Sequence, residues 1–442
     1  MPEPPTSPVP GDRKFDDPRG AASSRQAAPV DTGEEIRAAV RRVFAPHLIG
    51  PEAPGKNLWQ TWRATLRSLL PLGAVSMGNH VRVLSDGDEV YRRMWRAIEE
   101  AQWEVLMSTY ILQPDSVGLR TLQRLSQAAR RGCRVTLVFD DYGSSSLQPD
   151  ELHELRSAGG HVHVFNPVWR WSRPLAFWVR NHQKILVVDN QIGFAGGMNV
   201  GCAYAGDELG SNLFRDTHLV LEGPCVPTLA RMVLGAMEDD EVRRARSAEV
   251  LARPDPAPRE DGCLVQILES NLRRHQRAIQ RALRTTIRHS VNRCYLCSAY
   301  FVPPWRLRRT IKRAARRGVD VRILTAGISD VPAVRMASQH LYGDLLRAGV
   351  RIFELQNKAL HAKTMTVDGV YAAVGSFNLD YFSDRRNMEV NVSFLDVEMA
   401  GEVEAQFHED LEHAREIKHS EWRRRTIWQR LLHRIAYLLL SI

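Results

Sequence analysis

At 442 residues, 44% hydrophobic and 25% charged, the chain has the make-up of a folded globular protein and exceeds the span of one ordinary core. That balance excludes a fibrous or wholly disordered polypeptide. The formal net charge of +9, carried mostly by Arg, favours anionic partners such as phospholipid headgroups or nucleic acid, without choosing between them.

Residues 1–33 are rich in Pro, Ser, Asp and Arg and poor in large apolar side chains, so they cannot repay the entropy of ordering and are expected to form a flexible tail. The opening Met1-Pro-Glu-Pro-Pro-Thr-Ser-Pro has neither a basic nor an apolar targeting region, and no signal is expected. Residues 34–79 form an N-terminal helical segment with amphipathic stretches at 34–44 and 58–70. The second carries Trp59, Trp62, Leu66, Leu69 and Leu70 among Arg63 and Arg67. It fits a helix packed on the body or a membrane-surface contact. No stretch approaches the roughly 18 uninterrupted apolar residues of a spanning helix.

From His80 onward strand and helix patterns alternate, the mark of an α/β domain over 80–250. Strands are expected at 81–84, 105–111, 134–139 and 162–165, with helices at 89–101, 119–131 and 150–158. Residues 251–262 contain three prolines in a short polar run and read as a linker.

The same order then returns over 263–418: strand 264–268, helix 274–287, strand 295–301, helix 334–348 and strand 350–353. One section is nearly literal. Ala128-Ala-Arg-Arg-Gly-Cys-Arg-Val is matched by Ala314-Ala-Arg-Arg-Gly-Val-Asp-Val. In both, Gly supplies a left-handed helix cap and the arginines suit the helix dipole. The duplication predicts two related α/β domains packed face to face.

Six cysteines, at 133, 202, 225, 263, 294 and 297, follow no disulfide framework and read as reduced. Cys294 and Cys297 lie in an apolar run without a second ligand pair, so they read as packed strand residues. Residues 419–442 form a basic amphipathic helix in which Arg alternates with Trp, Leu and Ile. It fits the headgroup layer of an anionic bilayer, or a docked helix.

The chemistry sits at the end of each half. Asn181-His182-Gln-Lys184-Ile-Leu-Val-Val-Asp189 and Leu360-His361-Ala-Lys363-Thr-Met-Thr-Val-Asp368 both fit H-x-K-x4-D. On a strand, residues two apart share a face, so each His projects beside its Lys. Small-residue turns follow, Gly196-Gly-Met-Asn199 and Gly375-Ser-Phe-Asn378, whose glycines permit close backbone approach and whose amides can donate to an oxyanion. One such motif is weak. Two at equivalent places in a duplicated chain describe two halves of a phosphate cradle.

These residues resemble the paired HKD motifs of the phospholipase D superfamily, and 80–416 is similar to its bacterial cardiolipin synthase branch. Phe194-Ala-Gly-Gly-Met-Asn-Val200 and Val374-Gly-Ser-Phe-Asn-Leu-Asp380 carry the likeness, with Gly197 departing from the Ser found at Ser376. The resemblance implies two α/β sandwich domains sharing one active site. It implies phosphatidyl transfer between phospholipids, phosphatidylglycerol as donor and acceptor, through a phosphohistidine.

The catalytic set it implies is His182, Lys184, Asp189, His361, Lys363 and Asp368. His182 would be the nucleophile and His361 the acid and later base. Asp189 and Asp368, closing strands before turns, are expected as supports rather than reactants. Asn199 and Asn378 would bind substrate phosphate, and Asp216 and Glu389 would orient the imidazoles.

No cofactor and no metal are expected. The expected partner is an anionic phospholipid, met through peripheral membrane association on the cytoplasmic face, with no nucleic acid. The segment 168–179, aromatic and Arg-bearing, lengthens the path to the first motif: 50 residues separate Gly132 from His182, against 43 from Gly318 to His361. Capture by water would make a phospholipase D instead. A nuclease, using the basic run 306–317, and a non-catalytic membrane scaffold are the readings from other classes.

Overall fold

The computed structural model describes residues 55–167, 179–237, 240–251, 255–271 and 276–441. The expected tail 1–33, the stretch 34–44 and most of the lip at 168–179 lie outside the described residues.

The first half contributes β1 (Ala74–Leu84), β2 (Glu104–Thr109), β3 (Arg134–Asp140), β4 (His161–Phe165), β5 (Ile185–Val188), β6 (Ile192–Gly196), β7 (Phe214–Arg215) and β8 (His218–Glu222). The second contributes β9 (Cys263–Asn271), β10 (Gln276–Arg277), β11 (Arg293–Ser298), β12 (Asp320–Ile328), β13 (Arg351–Leu360), β14 (Lys363–Val367), β15 (Tyr371–Gly375), β16 (Glu389–Leu395) and β17 (Ala414–Glu416).

Each half builds one mixed sheet in the same order. The first runs β1-β8-β6-β5-β2-β3-β4. The second runs β9-β16-β15-β14-β11-β12-β13. In both, the early strands connected by helices pair in parallel and the strands around the motif pair antiparallel, as hairpin and crossover connections require.

β1 begins seven residues before the expected 81–84, because it serves both sheets. It pairs with β9 from Ala74 to Asn79 and with β8 from His80 to Leu84, changing partner around an irregularity between Ser76 and Asn79. Gly78 sits there at φ +76, and a Cβ would meet Pro258 of the linker at 2.5 Å. Only glycine fits that crossing.

Alternation along the strands assigns the faces. Ile185 and Val187 of β5 join Val265, Ile267, Val390 and Val392 of the second half in the core between the sheets. Leu186 and Val188 turn outward to the helices Gly87–Glu100 and Ser116–Arg130. Strands covered on both faces explain the unbroken apolar runs. Both Arg-Arg-Gly sections work alike: Gly132 and Gly318 take φ +95 and +94, while Arg131 donates to Ile98 O and Arg317 to Ile287 O.

The helix Gly55–Leu69 settles one open alternative. Trp62, Leu66 and Leu69 are buried with Leu268, Ile279 and Leu283 of the second half, and Trp62 stacks on Tyr371 at 5.4 Å. Leu58, Trp62, Leu66 and Leu69 thus pack on the body. The expected helix 150–158 is a 3-10 turn Pro149–Leu152 followed by His153–Ser157, because Pro149 sets the tight first turn. The last strand expected at 350–353 continues to Leu360, which carries it to His361.

All six cysteines are free, with Cys294 and Cys297 buried on β11. The basic run 306–317 is partly used internally: Lys312 holds Asp344 at 2.7 Å and Arg317 also reaches Ser290 O. The C-terminal helix Ile427–Leu440 lies on Pro332–Leu346, with Tyr437 stacked on His340 at 4.9 Å. Among the described residues, no helix is long and apolar enough to cross a membrane.

Candidate active site

Both His-x-Lys segments begin where an edge contact with the other half fixes the backbone. His182 N donates to Met388 O at 2.9 Å, and Met388 N donates to Arg180 O at 2.8 Å. His361 N donates to Arg215 O at 2.8 Å. Met388 immediately precedes Glu389, and Arg215 immediately precedes Asp216. Each motif is therefore held against the residue before the other half's carboxylate.

The side chains cross in the same way. His182 Nδ1 lies 3.0 Å from Glu389 Oε2 and 3.1 Å from Ser376 O. His361 Nδ1 lies 2.5 Å from Asp216 Oδ2. All four residues are at least nine-tenths buried. Among the described residues neither Nε2 has a hydrogen-bond partner, so each ring can hold an Nδ1 proton on its carboxylate and present Nε2 to a ligand.

The two ammonium groups sit beside the rings. Lys184 Nζ donates to His182 O at 2.6 Å, and Lys363 Nζ lies 3.0 Å from His361 Nδ1. Tyr110 meets the His182 ring edge-on at 4.9 Å, while Tyr204 and Phe214 pack on His361 at 5.2 and 5.4 Å. Aromatic walls exclude water and strengthen every charge interaction inside.

Burial dominates the titration of both imidazoles. It pushes His182 down to about 4, against Glu389 and with Lys184. It lowers His361 too, with Lys363 and against Asp216. Burial would raise Asp216, but His361 and Lys363 outweigh it and hold the carboxyl at about 2. Glu389 is likewise held below the usual range, burial being outweighed by His182 and Lys184. Lys184 and Lys363 are both depressed by burial and supported by Glu389 and Asp216. Each ring also feels the ammonium of the opposite half, which brings the two motifs into one electrostatic unit.

The two turns differ in a compensated way. β6 pairs with β8 and β15 with β16 so that Gly196 faces His218 and Gly375 faces Asn391; Asp216 and Glu389 are thus equivalent positions. Ser376 Oγ donates to Glu389 Oε2 at 2.5 Å. At Gly197 a Cβ would stand 2.1 Å from Asp216 Oδ1. A shorter carboxylate brought closer to the backbone takes the room that Ser occupies in the other half.

The motif aspartates stand elsewhere. Asp189 accepts from the backbone amides of Gln102, Trp103 and Glu104 at 2.8–2.9 Å. Asp368 accepts from those of Val291, Asn292 and Arg293 and from Trp62 Nε1 at 3.1 Å. Neither touches an imidazole. They brace the loops entering β2 and β11.

The two asparagines also part company. Asn199 Nδ2 donates to Tyr204 Oη at 2.7 Å and Oδ1 accepts from Ile111 N at 3.1 Å, so this amide is engaged in bracing the site. Asn378 Oδ1 is buried without a partner; an amide oxygen only accepts, so it is through Nδ2 that this side chain could meet a phosphate oxygen.

Sequence reasoning passed over several neighbours. Arg215 Nε holds Asp410 Oδ1 at 2.7 Å and its Nη1 holds Asp216 O at 2.6 Å, tying the halves together. Asp140 accepts from Asn181 N at 2.9 Å and lies 3.5 Å from Arg180, fixing the approach to His182. Arg180 and Asn181 directly precede the motif, which was the available signal; nothing in the spacing marked Tyr110. Among the described residues no group of three or more His, Cys, Asp or Glu is placed to hold a metal ion.

Comparison with known proteins bears on this geometry. A family described as "Cardiolipin synthase, PLD-like domain" matches twice, at residues 94–216 and 283–411. Cardiolipin synthase A of Pseudomonas fluorescens is 35% identical over 381 residues, 86% of this chain and 78% of that protein. Cardiolipin synthase of Geobacillus kaustophilus is 31% identical over 365 residues, 83% and 72% of the two chains. The crystal structure of phosphatidylserine synthase from Haemophilus influenzae superposes with a TM-score of 0.68 at 12% identity, covering 87% of this chain and all of that one; this likeness concerns the fold.

Proposed function

Because the chain belongs to the cardiolipin synthase branch of the phospholipase D superfamily, we propose that it joins two phosphatidylglycerol molecules into cardiolipin through a phosphohistidine on His182. It is a phosphatidyltransferase of that superfamily, acting in cardiolipin synthase-like transfer between phospholipids. The observation that supports the finer reading is the crossed pair of imidazole–carboxylate contacts, in which each ring meets a carboxylate of the other half.

Charge balance supports opposed roles for the rings. Two lysines against Asp216 and Glu389 leave the site neutral while both imidazoles are uncharged. A phosphodiester brings one negative charge, and one proton on an imidazole offsets it. His182, neutral, attacks phosphorus through Nε2. The N–P bond forms, the bond from phosphorus to the departing glycerol oxygen breaks, and His361 gives that oxygen its proton. A second lipid then loses its glycerol hydroxyl proton to His361, its oxygen bonds to phosphorus, and His182 leaves. Lys184, Lys363 and the Asn378 amide stabilise the non-bridging oxygens; Asn199 can join them only by releasing Tyr204.

A lipid substrate requires contact with a membrane, and this reading takes the association to be peripheral and on the cytoplasmic face, with no nucleic acid partner. The test is incubation of the purified chain with phosphatidylglycerol vesicles. The expected products are cardiolipin and glycerol, abolished by His182→Ala or His361→Ala. Phosphatidic acid alone would make it a hydrolase, and cleavage of nucleic acid with inert lipid would make it a nuclease.

A further inference from the structure

The helix Ile427–Leu440 is turned the wrong way round for a helix that only packs on its own protein. At 3.6 residues per turn, Ile427, Trp428, Leu431, Leu432, Ile435 and Leu439 fall within an arc of about 140°. That arc faces outward: Trp428 is 78% exposed, Leu439 72% and Leu432 52%. The side docked on the body is the narrower one, made by Ala436, Tyr437 and Leu440 against Val302, Val334 and Ala337.

The arrangement is built rather than frayed. Thr426 and Gln429 close a capping box at the helix start. Just before it, Trp422 lies against Tyr342 at 5.0 Å and carries Arg425 over its ring at 3.8 Å. A fixed helix that holds its larger apolar face in water has a partner for that face.

Charge identifies the partner. Arg423, Arg424, Arg425, Arg430 and Arg434 lie in or just before the helix, and no acidic residue occurs between Glu421 and the end of it. Arg430 and Arg434 border one edge of the apolar arc, where their long stems can reach up to headgroup phosphates while the arc sinks among acyl chains.

Position completes the case. The docked side of the helix meets Tyr381 and Val302. Tyr381 begins the short helix three residues after Asn378, and Val302 N donates to Leu379 O at 2.8 Å. The helix thus sits on the elements that adjoin the second phosphate turn.

We propose that Ile427–Leu440 is an in-plane anchor for an anionic bilayer, which holds the second-half wall of the active site at the headgroup layer. This deepens the lipid-transfer reading above, since both lipids must be reached without leaving the membrane, but its test reads binding and not turnover.

The full chain should float with vesicles made of equal parts phosphatidylglycerol and phosphatidylcholine. The variant carrying Trp428→Gln, Leu431→Gln, Ile435→Gln and Leu439→Gln should partition about tenfold less or weaker still. Its turnover of detergent-dispersed phosphatidylglycerol should match wild type. Arg430→Glu with Arg434→Glu, which leaves the apolar arc intact, should weaken binding to the mixed vesicles and not to phosphatidylcholine alone.

Flotation of the four-residue variant within twofold of wild type overturns the proposal. So does a wild-type dimer in sedimentation that this variant converts to monomer, because the face then belongs to a second copy. Vesicle binding that behaves as expected without any cardiolipin formed would leave the anchor standing and remove the transferase reading.

Discussion

Glu389, near the end of the second half, accepts the ring of His182 in the first at 3.0 Å, although 207 positions separate them. Asp216 returns the relationship by meeting His361 at 2.5 Å. Among the described residues, neither motif histidine pairs with a carboxylate of its own half. Glu389→Gln and Asp216→Asn should therefore each lower kcat by about 10²–10³-fold with little change in KM, because they remove the group that sets tautomer and orientation and leave the lysines in place. Steady-state transfer assays on phosphatidylglycerol vesicles check this; unchanged kcat in both variants would refute the orienting role.

The compensated turns make opposite demands on one position. Gly197→Ser should displace Asp216, since even a Cβ comes within 2.1 Å of its Oδ1, with a loss of about 1–3 kcal/mol in stability and most of the activity. Ser376→Gly, the converse change, removes one hydroxyl donor from Glu389 and should cost about tenfold in kcat with a near-normal Tm. Thermal melts and turnover of both variants separate the two outcomes.

The aspartates that complete the motif should behave as scaffold. Asp368→Ala strands three backbone amides and the Trp62 indole, and Asp189→Ala strands three amides. Each should lower stability by about 2–4 kcal/mol. The folded fraction, measured at low temperature, should keep kcat within a few-fold of wild type. A hundredfold fall in kcat in a well-folded Asp189→Ala protein would return this residue to the chemistry.

A pH effect follows from His218, which is 2% exposed with Nδ1 unpartnered. Burial pushes its imidazole from 6.5 down to about 4. Between those values the unfolded chain binds a proton that the folded chain refuses, so the stability His218 contributes is complete above pH 6.5 and lost as pH falls toward 4. Asp140 and Asp380, raised by burial to about 6 and about 7, act in the opposite sense over much of this window. The contribution of His218 is therefore read as a difference. His218→Asn, which copies Asn391 at the equivalent place in the second half, should change the slope of unfolding free energy against pH by about 1.4 kcal/mol per unit between pH 4 and 6.5. Parallel wild-type and variant curves from denaturant titrations would show that His218 titrates normally.

Duplication and the alternation of strand and helix were legible in the sequence because they depend on short-range patterns: apolar alternation, Gly after Arg-Arg, and a motif repeated at matching intervals. The strand expected to carry each His-x-Lys pair was not: β5 begins at Ile185, after Lys184, and His361 lies between β13 and β14. The two carboxylates were also found in the sequence, as members of the strands that follow each motif. Which carboxylate serves which ring was not legible. That pairing depends on how two sheets close on one another, through β1 shared between them and through backbone contacts such as His182 N with Met388 O. The same holds for Asp189 and Asp368, whose spacing from the motif is constant while their oxygens point to loops that only the folded chain brings near. It holds for the helices at the two ends as well: both read as amphipathic, and only packing buried the large apolar face of Gly55–Leu69 and left that of Ile427–Leu440 outward. Local sequence fixes periodicity and the identity of a face; the direction that face takes is a property of what other surface remains to cover it.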